Sequence, residues 1–223
     1  MYCDNITIFG TCRLDSLCNY NNRIKNEISY TYDTKEILEI IKFLKYNHLS
    51  PEQTITTFRT SMLNKTPIYS FNFKKMLEKT DIFIIEICGR KTYSYNNIYV
   101  HSILSQYSND DISKQIKINR QDDKEITNDI MEIISQLNTK KIIFVGHIVT
   151  NNTGERYELS CLLEKICFIN NILFINPVFE ITKRGYNIND LVINEAKILH
   201  YNEMGHKIMK DIYEDFINKL ILH

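Results

Sequence analysis

The 223-residue chain has no tryptophan, three prolines, six glycines, no Cys-x-x-Cys pair and no excess of either charge. Lys plus Arg and Asp plus Glu number 27 each, so no global field draws it to nucleic acid or to an anionic membrane, and neither is expected as a partner. Six cysteines, at positions 3, 12, 18, 88, 161 and 167, have neither the density nor the spacing of a disulfide scaffold or a zinc site, and no metal is expected. No stretch approaches the ~20 apolar residues of a membrane span. Met1 leads into a polar turn and a strand, without the basic and apolar segments of a signal peptide, which sets the expectation of a reducing cytoplasm and free thiols. Repeats and low-complexity tracts are absent as well. With 43% apolar residues the chain can bury one substantial core, and a single domain over residues 1–223 is expected.

What is present is a series of short apolar runs rich in β-branched residues, separated by longer segments of helical rhythm, the pattern of a parallel sheet covered on both faces. Four runs are clear: residues 6–9 (Ile-Thr-Ile-Phe), 82–87 (Ile-Phe-Ile-Ile-Glu-Ile), 142–145 (Ile-Ile-Phe-Val) and 172–175 (Ile-Leu-Phe-Ile). A fifth, edge strand is expected at 55–58 or at 28–32. Helices are expected over 34–46, with Asp33 or Thr34 as cap, and over 129–137, 155–169 and 203–222. Residues 109–124 are polar, charged and without period, and read as an exposed loop. The crossover rule then favours a flavodoxin-like, three-layer α/β/α sandwich with a parallel five-stranded sheet, whose function collects at the carboxyl ends of its strands.

The first strand ends in Gly10-Thr11-Cys12-Arg13, a glycine turn presenting a thiol, and the last helix is preceded by His200-Tyr201-Asn202-Glu203-Met204-Gly205-His206. A thiol and an imidazole brought together make a nucleophile and its base. Cys12 at a strand-to-helix turn would feel the positive helix end, and Arg13 beside it would favour the thiolate further; the plain alternative is a small buried cysteine filling a gap. Ser16, within Asp15-Ser16-Leu17, is the second candidate nucleophile, one helical turn inside. His206 is expected to pack in the first turn of the closing helix, and Asn202 and Gly205 to serve the turn and the helix start.

These two blocks resemble the SGNH (GDSL) esterase and acyltransferase superfamily, whose first block reads Gly-Asp-Ser-Leu and whose last reads Asp-x-x-His-Pro-Asn-x-x-Gly-His. Gly10-Thr11-Cys12 is similar to the first with Cys as nucleophile, and residues 200–206 to the last with Tyr for Pro. Cys88-Gly89-Arg90 follows the second clear strand where the family has Gly-x-Asn-Asp. Two departures stand out: position 197 is Lys where the family carries its triad Asp, and the Asn of the third block is absent. A Cys12–His200 dyad, with Glu195 as the nearest orienting carboxylate, takes the triad's place, since a thiolate forms more readily than an alkoxide.

The Cys-containing opening is similar to a branch that acylates sugars in polysaccharide biosynthesis. That resemblance implies an acyltransferase with acetyl-CoA or another acyl-CoA as donor and a sugar or nucleotide sugar as acceptor. The alternatives are a carbohydrate esterase or deacetylase and an inactive glycan-binding module. The Cys12 and Gly89 backbone N–H groups and Arg90 are the available oxyanion donors. Arg90 and Lys91 have a second reading as anchors for substrate phosphates, and His147 and Arg59 fall near strand ends where they would line the cleft. Tyr93, Tyr95 and His101 would stack on a sugar ring or cover the core.

Overall fold

The computed structural model describes residues 6–17, 30–71, 77–106, 111–195 and 198–222. Its centre is a parallel sheet of four strands, β1 (Ile6–Phe9), β2 (Ile82–Glu86), β6 (Lys141–Val145) and β7 (Leu173–Ile175), in the order β1-β2-β6-β7. Ile6 pairs with Ile82, Ile82 with Lys141 and Ile143 with Leu173, and every pairing is parallel. The continuous apolar runs follow from burial on both faces.

Alternate side chains feed two cores. Phe9, Phe83, Ile85 and Phe144 pack against α1 (Thr34–Tyr46), α4 (Asp123–Gln136) and α5 (Glu155–Ile169). Ile8, Ile84, Ile143 and Val145 pack on the other face against a 3₁₀ helix (Cys12–Leu17), α6 (Pro177–Lys183) and α7 (Glu203–Leu222). This is a three-layer α/β/α arrangement, and each fully buried Ile, Leu or Phe adds roughly 1.5–3 kcal/mol to it.

Local chemistry sets the helix limits. The Asp33 side chain accepts the Glu36 N–H at the start of α1, and Asp122 with Glu125 forms a capping box at the start of α4. That box starts the helix at Asp123, six residues before the expected start at 129. The segment expected as a loop, 109–124, also holds β5 (Lys117–Arg120), which joins β3 (Lys91–Tyr95) and β4 (Ile98–Tyr99) in a small antiparallel sheet. All four β5 residues are exposed, so no apolar alternation marked them.

The expected fifth strand is not among the described residues. Residues 55–57 belong to α2 (Pro51–Thr57), started by a Ser50–Gln53 capping box with Pro51 in the first turn, and α3 (Arg59–Asn64) follows. Of the other candidate, 28 and 29 lie outside the described residues. The remainder runs across the strand ends, where the Thr31 N–H donates to the Gly10 carbonyl and the Tyr32 carbonyl accepts from Cys88 N–H. No described helix is long and apolar enough to cross a membrane.

Between α6 and α7 the chain forms an antiparallel hairpin, β8 (Val192–Glu195) and β9 (Ile198–Tyr201), with His200 opposite Ile193. The Asn202 side chain then accepts the Gly205 N–H while its carbonyl accepts from His206 N–H, which starts α7. Gly205 sits so close to the hairpin that a Cβ would lie 2.3 Å from the Leu191 carbonyl oxygen and 3.1 Å from the Tyr201 side chain. Gly205→Ala is therefore expected to cost about 2–3 kcal/mol of stability, read as a lowered urea midpoint at unchanged m-value; an unshifted midpoint would show that the hairpin moves aside freely.

Candidate active site

The turn after β1 is built around Gly10, where a Cβ would meet Leu14 Cδ1 at 2.6 Å and Glu86 Cβ at 2.8 Å. Only a hydrogen there lets the chain turn tightly against β2 and begin the 3₁₀ helix at Cys12. That helix has six residues in 3₁₀ geometry, and it carries a correspondingly small dipole. Cys12 is half-buried, and its Sγ lies 3.3 Å from Nδ1 of His200, delivered by β9. The carboxyl edge of the sheet thus brings the two ends of the chain together across 188 positions. For Nδ1 to accept the thiol proton, the neutral ring must carry its own proton on Nε2.

Behind Cys12 lies a buried polar network that the sequence reading missed. Glu86, 1% exposed at the end of β2, accepts the Thr11 N–H at 2.9 Å and the Thr11 hydroxyl at 2.6 Å through one oxygen. Its other oxygen lies 3.1 Å from Nδ1 of His147. Arg13, 4% exposed, donates from NH1 to Thr11 Oγ1 at 2.9 Å and from Nε to the Leu199 carbonyl, next to His200, at 3.1 Å. Burial alone would raise the Glu86 carboxyl, but the His147 bond, the Arg13 charge and the Thr11 bonds together hold it down to about 2. Burial lowers His147 to about 4 despite its bond to Glu86. The pair is a carboxylate accepting from a neutral imidazole, and the visible cue was a lone carboxylate inside an apolar strand.

Cys88, also buried, is raised well above the usual thiol range by burial and then by the Glu86 charge, which keeps it a thiol and argues against it as a nucleophile. The ligating atoms of Glu86, Cys88 and His147 lie within 4.8 Å of one another, close enough to consider a metal. The Glu86 oxygens are already engaged by Thr11 and His147, and Arg13 adds a positive charge beside them. A buried hydrogen-bond network around one carboxylate, with the Arg13 charge beside it, describes these residues better than a cation site.

A cleft of about 590 Å3 is lined among others by Tyr32, Gly89, Lys91, Tyr93, Arg156 and Leu199, the neighbour of His200, while neither Cys12 nor His200 is among its lining residues. Space over Gly89 is open, with nothing within 4 Å of where a Cβ would be. Arg90 also lines the cleft but is 5% exposed and holds Asp123 at 2.6 Å through NH1, so it is anchored rather than free to reach a substrate.

No family model and no curated protein matches the chain. Among solved structures it is similar to a lipase/acylhydrolase from Enterococcus faecalis, at 12% identity and a TM-score of 0.45, covering 95% of this chain and 94% of that one. It is similar also to a catalytic mutant of an acetylxylan esterase from Geobacillus stearothermophilus, at 12% identity and a TM-score of 0.43, covering 93% and 91%. A GDSL-like lipase from Bacteroides thetaiotaomicron is similar at 11% identity and a TM-score of 0.41, covering 97% and 89%. At such identities these are likenesses of fold.

The other expected site residues fall in several places. His147 is 2% exposed and sits beneath the turn, a correction to the expectation that it lines the cleft. Arg59 lies over the ring of Tyr30, 5.2 Å from its centroid, and is not among the cleft's lining residues. Arg13 is a buried tie between Thr11 and Leu199. Glu195 ends β8 opposite Ile198, two pairs beyond His200, and its side chain lies outside the described residues, as does Lys197. Ser16 is buried, its Oγ 2.8 Å from Nδ1 of His206, and this contact pins the 3₁₀ helix to α7. His101 is buried edge-on to Tyr32, in the core rather than in the cleft.

Proposed function

We propose that the chain is an acyl-ester hydrolase of SGNH type acting through a Cys12–His200 dyad, with an O-acylated carbohydrate as substrate. The observation that carries this reading is the 3.3 Å approach of Cys12 Sγ to His200 Nδ1 at the carboxyl edge of the sheet. His200 takes the thiol proton at Nδ1, and the thiolate adds to the ester carbonyl. The tetrahedral adduct collapses as Nδ1 returns the proton to the departing alcohol, leaving a thioester on Cys12. Nδ1 then takes a proton from water, the resulting hydroxide attacks the thioester, and the acid departs as the thiol re-forms. The Gly89 backbone N–H, beneath open space in the cleft, is the donor assigned to the oxyanion.

A second reading keeps the same first half and replaces water by a sugar hydroxyl or amine, with an acyl-CoA as donor. Lys91 and Arg156 on the cleft wall favour it, because they offer positive charge to donor phosphates. Hydrolysis leads because it needs nothing beyond the pair and water.

Incubation with an aryl acetate is expected to give turnover and, on rapid quenching, one acetyl group mapped to the Cys12 peptide. Cys12→Ala is expected to lose both. Turnover at the wild-type rate in Cys12→Ala would overturn the reading, and acetyl-CoA consumption that depends on an added sugar would move it to the transferase.

A further inference from the structure

The terminal motif lacks its carboxylate, with Lys197 at the position where the triad acid is expected, yet Cys12 and His200 stand at bonding distance. A dyad assembled from two ends of a chain needs something to hold both halves, because a misplacement of about 1 Å can cost 10²-fold in rate. Hydrogen bonds form one continuous chain between them. The Arg13 guanidinium donates to the Leu199 carbonyl on the strand that carries His200 and to the Thr11 hydroxyl on the turn that carries Cys12. That hydroxyl, its lone pair taken by Arg13, donates its own hydrogen to Glu86, which also holds the Thr11 N–H. His147 closes the other side of Glu86.

We infer that Glu86 does the orienting work of the missing triad acid without touching His200, by fixing Thr11 and, through it, Arg13, so that the Cys12 turn and the His200 strand are locked in register. Glu86, Thr11 and Arg13 are then positioning residues for the thiol chemistry proposed above, on which this inference rests. Thr11, Arg13, Glu86 and His147 are buried, so the bonds among them work in a low-dielectric setting where their loss is felt fully, while the Arg13–Leu199 bond is part-buried. It also places a charge pair behind the nucleophile: Arg13 favours the thiolate, and Glu86 tempers that effect. The other titratable groups around the thiol are His200 on β9, Tyr30 and Tyr32 on the segment entering α1, and Cys88 and His147 beyond Glu86.

The test is the pH dependence of iodoacetamide labelling at Cys12 in the full chain, followed on its own peptide, with aryl-acetate turnover measured alongside. Thr11→Val removes the hydroxyl link at nearly constant shape and is expected to slow labelling at neutral pH about tenfold, moving the labelling midpoint up by about one unit. Thr11→Ser restores the link and is expected to label within about twofold of the parent, a difference small beside that one-unit shift. Glu86→Gln still accepts from Thr11 but removes the negative charge, so its midpoint is expected to move down. A parent-like profile in folded Thr11→Val, equal damage from Val and Ser, or an unmoved midpoint in Glu86→Gln would each overturn the inference. Labelling needs no acyl substrate, so loss of the acyl-ester reading shows as absent turnover with these shifts intact.

Discussion

Replacing His200 by alanine is expected to lower kcat/KM for acyl-ester turnover by about 10²–10⁴-fold, the usual worth of a positioned general base. The fold should survive, because His200 is half-buried on a hairpin strand and the contact it loses is the one to Cys12. The two half-reactions should respond differently to pH. Acylation needs a thiolate, which rising pH supplies without a base, whereas deacylation needs a proton acceptor for water at the thioester carbonyl. The variant is therefore expected to accumulate acetyl-Cys12 at alkaline pH and release it slowly, which intact-mass analysis over time reads directly. Ser16→Ala is the control: a second hydroxyl–imidazole pair, Ser16 with His206 at 2.8 Å, is buried between the 3₁₀ helix and α7 and serves packing. Parent-like turnover in His200→Ala, or loss of acylation in Ser16→Ala, would move the chemistry away from Cys12.

The contrast between those two pairs shows what was legible in the sequence. Cys12 and His200 were visible because each stands beside a marked turn, Cys12 just after Gly10 and His200, within β9, just before the Asn202–Gly205 turn. The four central strands were visible because both their faces are buried, which leaves all their positions apolar but Thr7, Glu86 and the exposed Lys141. The small β3–β4–β5 sheet was hidden for the opposite reason: Lys117, Ile118, Asn119 and Arg120 all face solvent and need no alternation. Residues 55–58 misled because Ile and Thr suit strands, but the Ser50–Gln53 box with Pro51 starts a helix before their β-propensity counts. Distances could not be read at all. Burial of Arg13 and His147 turns two expected site groups into internal ties, and Arg90, though it lines the cleft, is anchored on Asp123; the partners Leu199, Glu86 and Asp123 are remote in sequence.

Glu86→Ala is expected to be the most damaging single change to the fold, at about 3–5 kcal/mol, the cost of breaking a buried charge network from one side. It would leave the Thr11 N–H, the Thr11 hydroxyl and His147 Nδ1 without their acceptor, and Arg13 without its counter-charge, all in the interior. The same network fixes how the protein meets acid. Glu86 sits at about 2 in the fold, against roughly 4.3 for an unfolded chain. A depressed carboxylate stabilises fully above the unfolded value and loses that contribution as pH falls toward the folded one, an amount of roughly 3 kcal/mol. His147 obeys the same sign from a higher start. It sits at about 4 in the fold, and the unfolded ring takes its proton first as pH drops below roughly 6.5. The two windows stack, His147 from mildly acidic pH down to about 4 and Glu86 below that. His101, lowered by burial to about 3, loses stability with the same sign across both windows. Stability measured by urea unfolding should therefore fall throughout the acid range and keep falling below about pH 4. Glu86→Gln, which cannot ionise, should make the fall below that pH shallower by roughly 3 kcal/mol. An unchanged fall in Glu86→Gln would mean that acid enters the protein elsewhere and that the carboxylate behind Cys12 is not the charge that holds the turn.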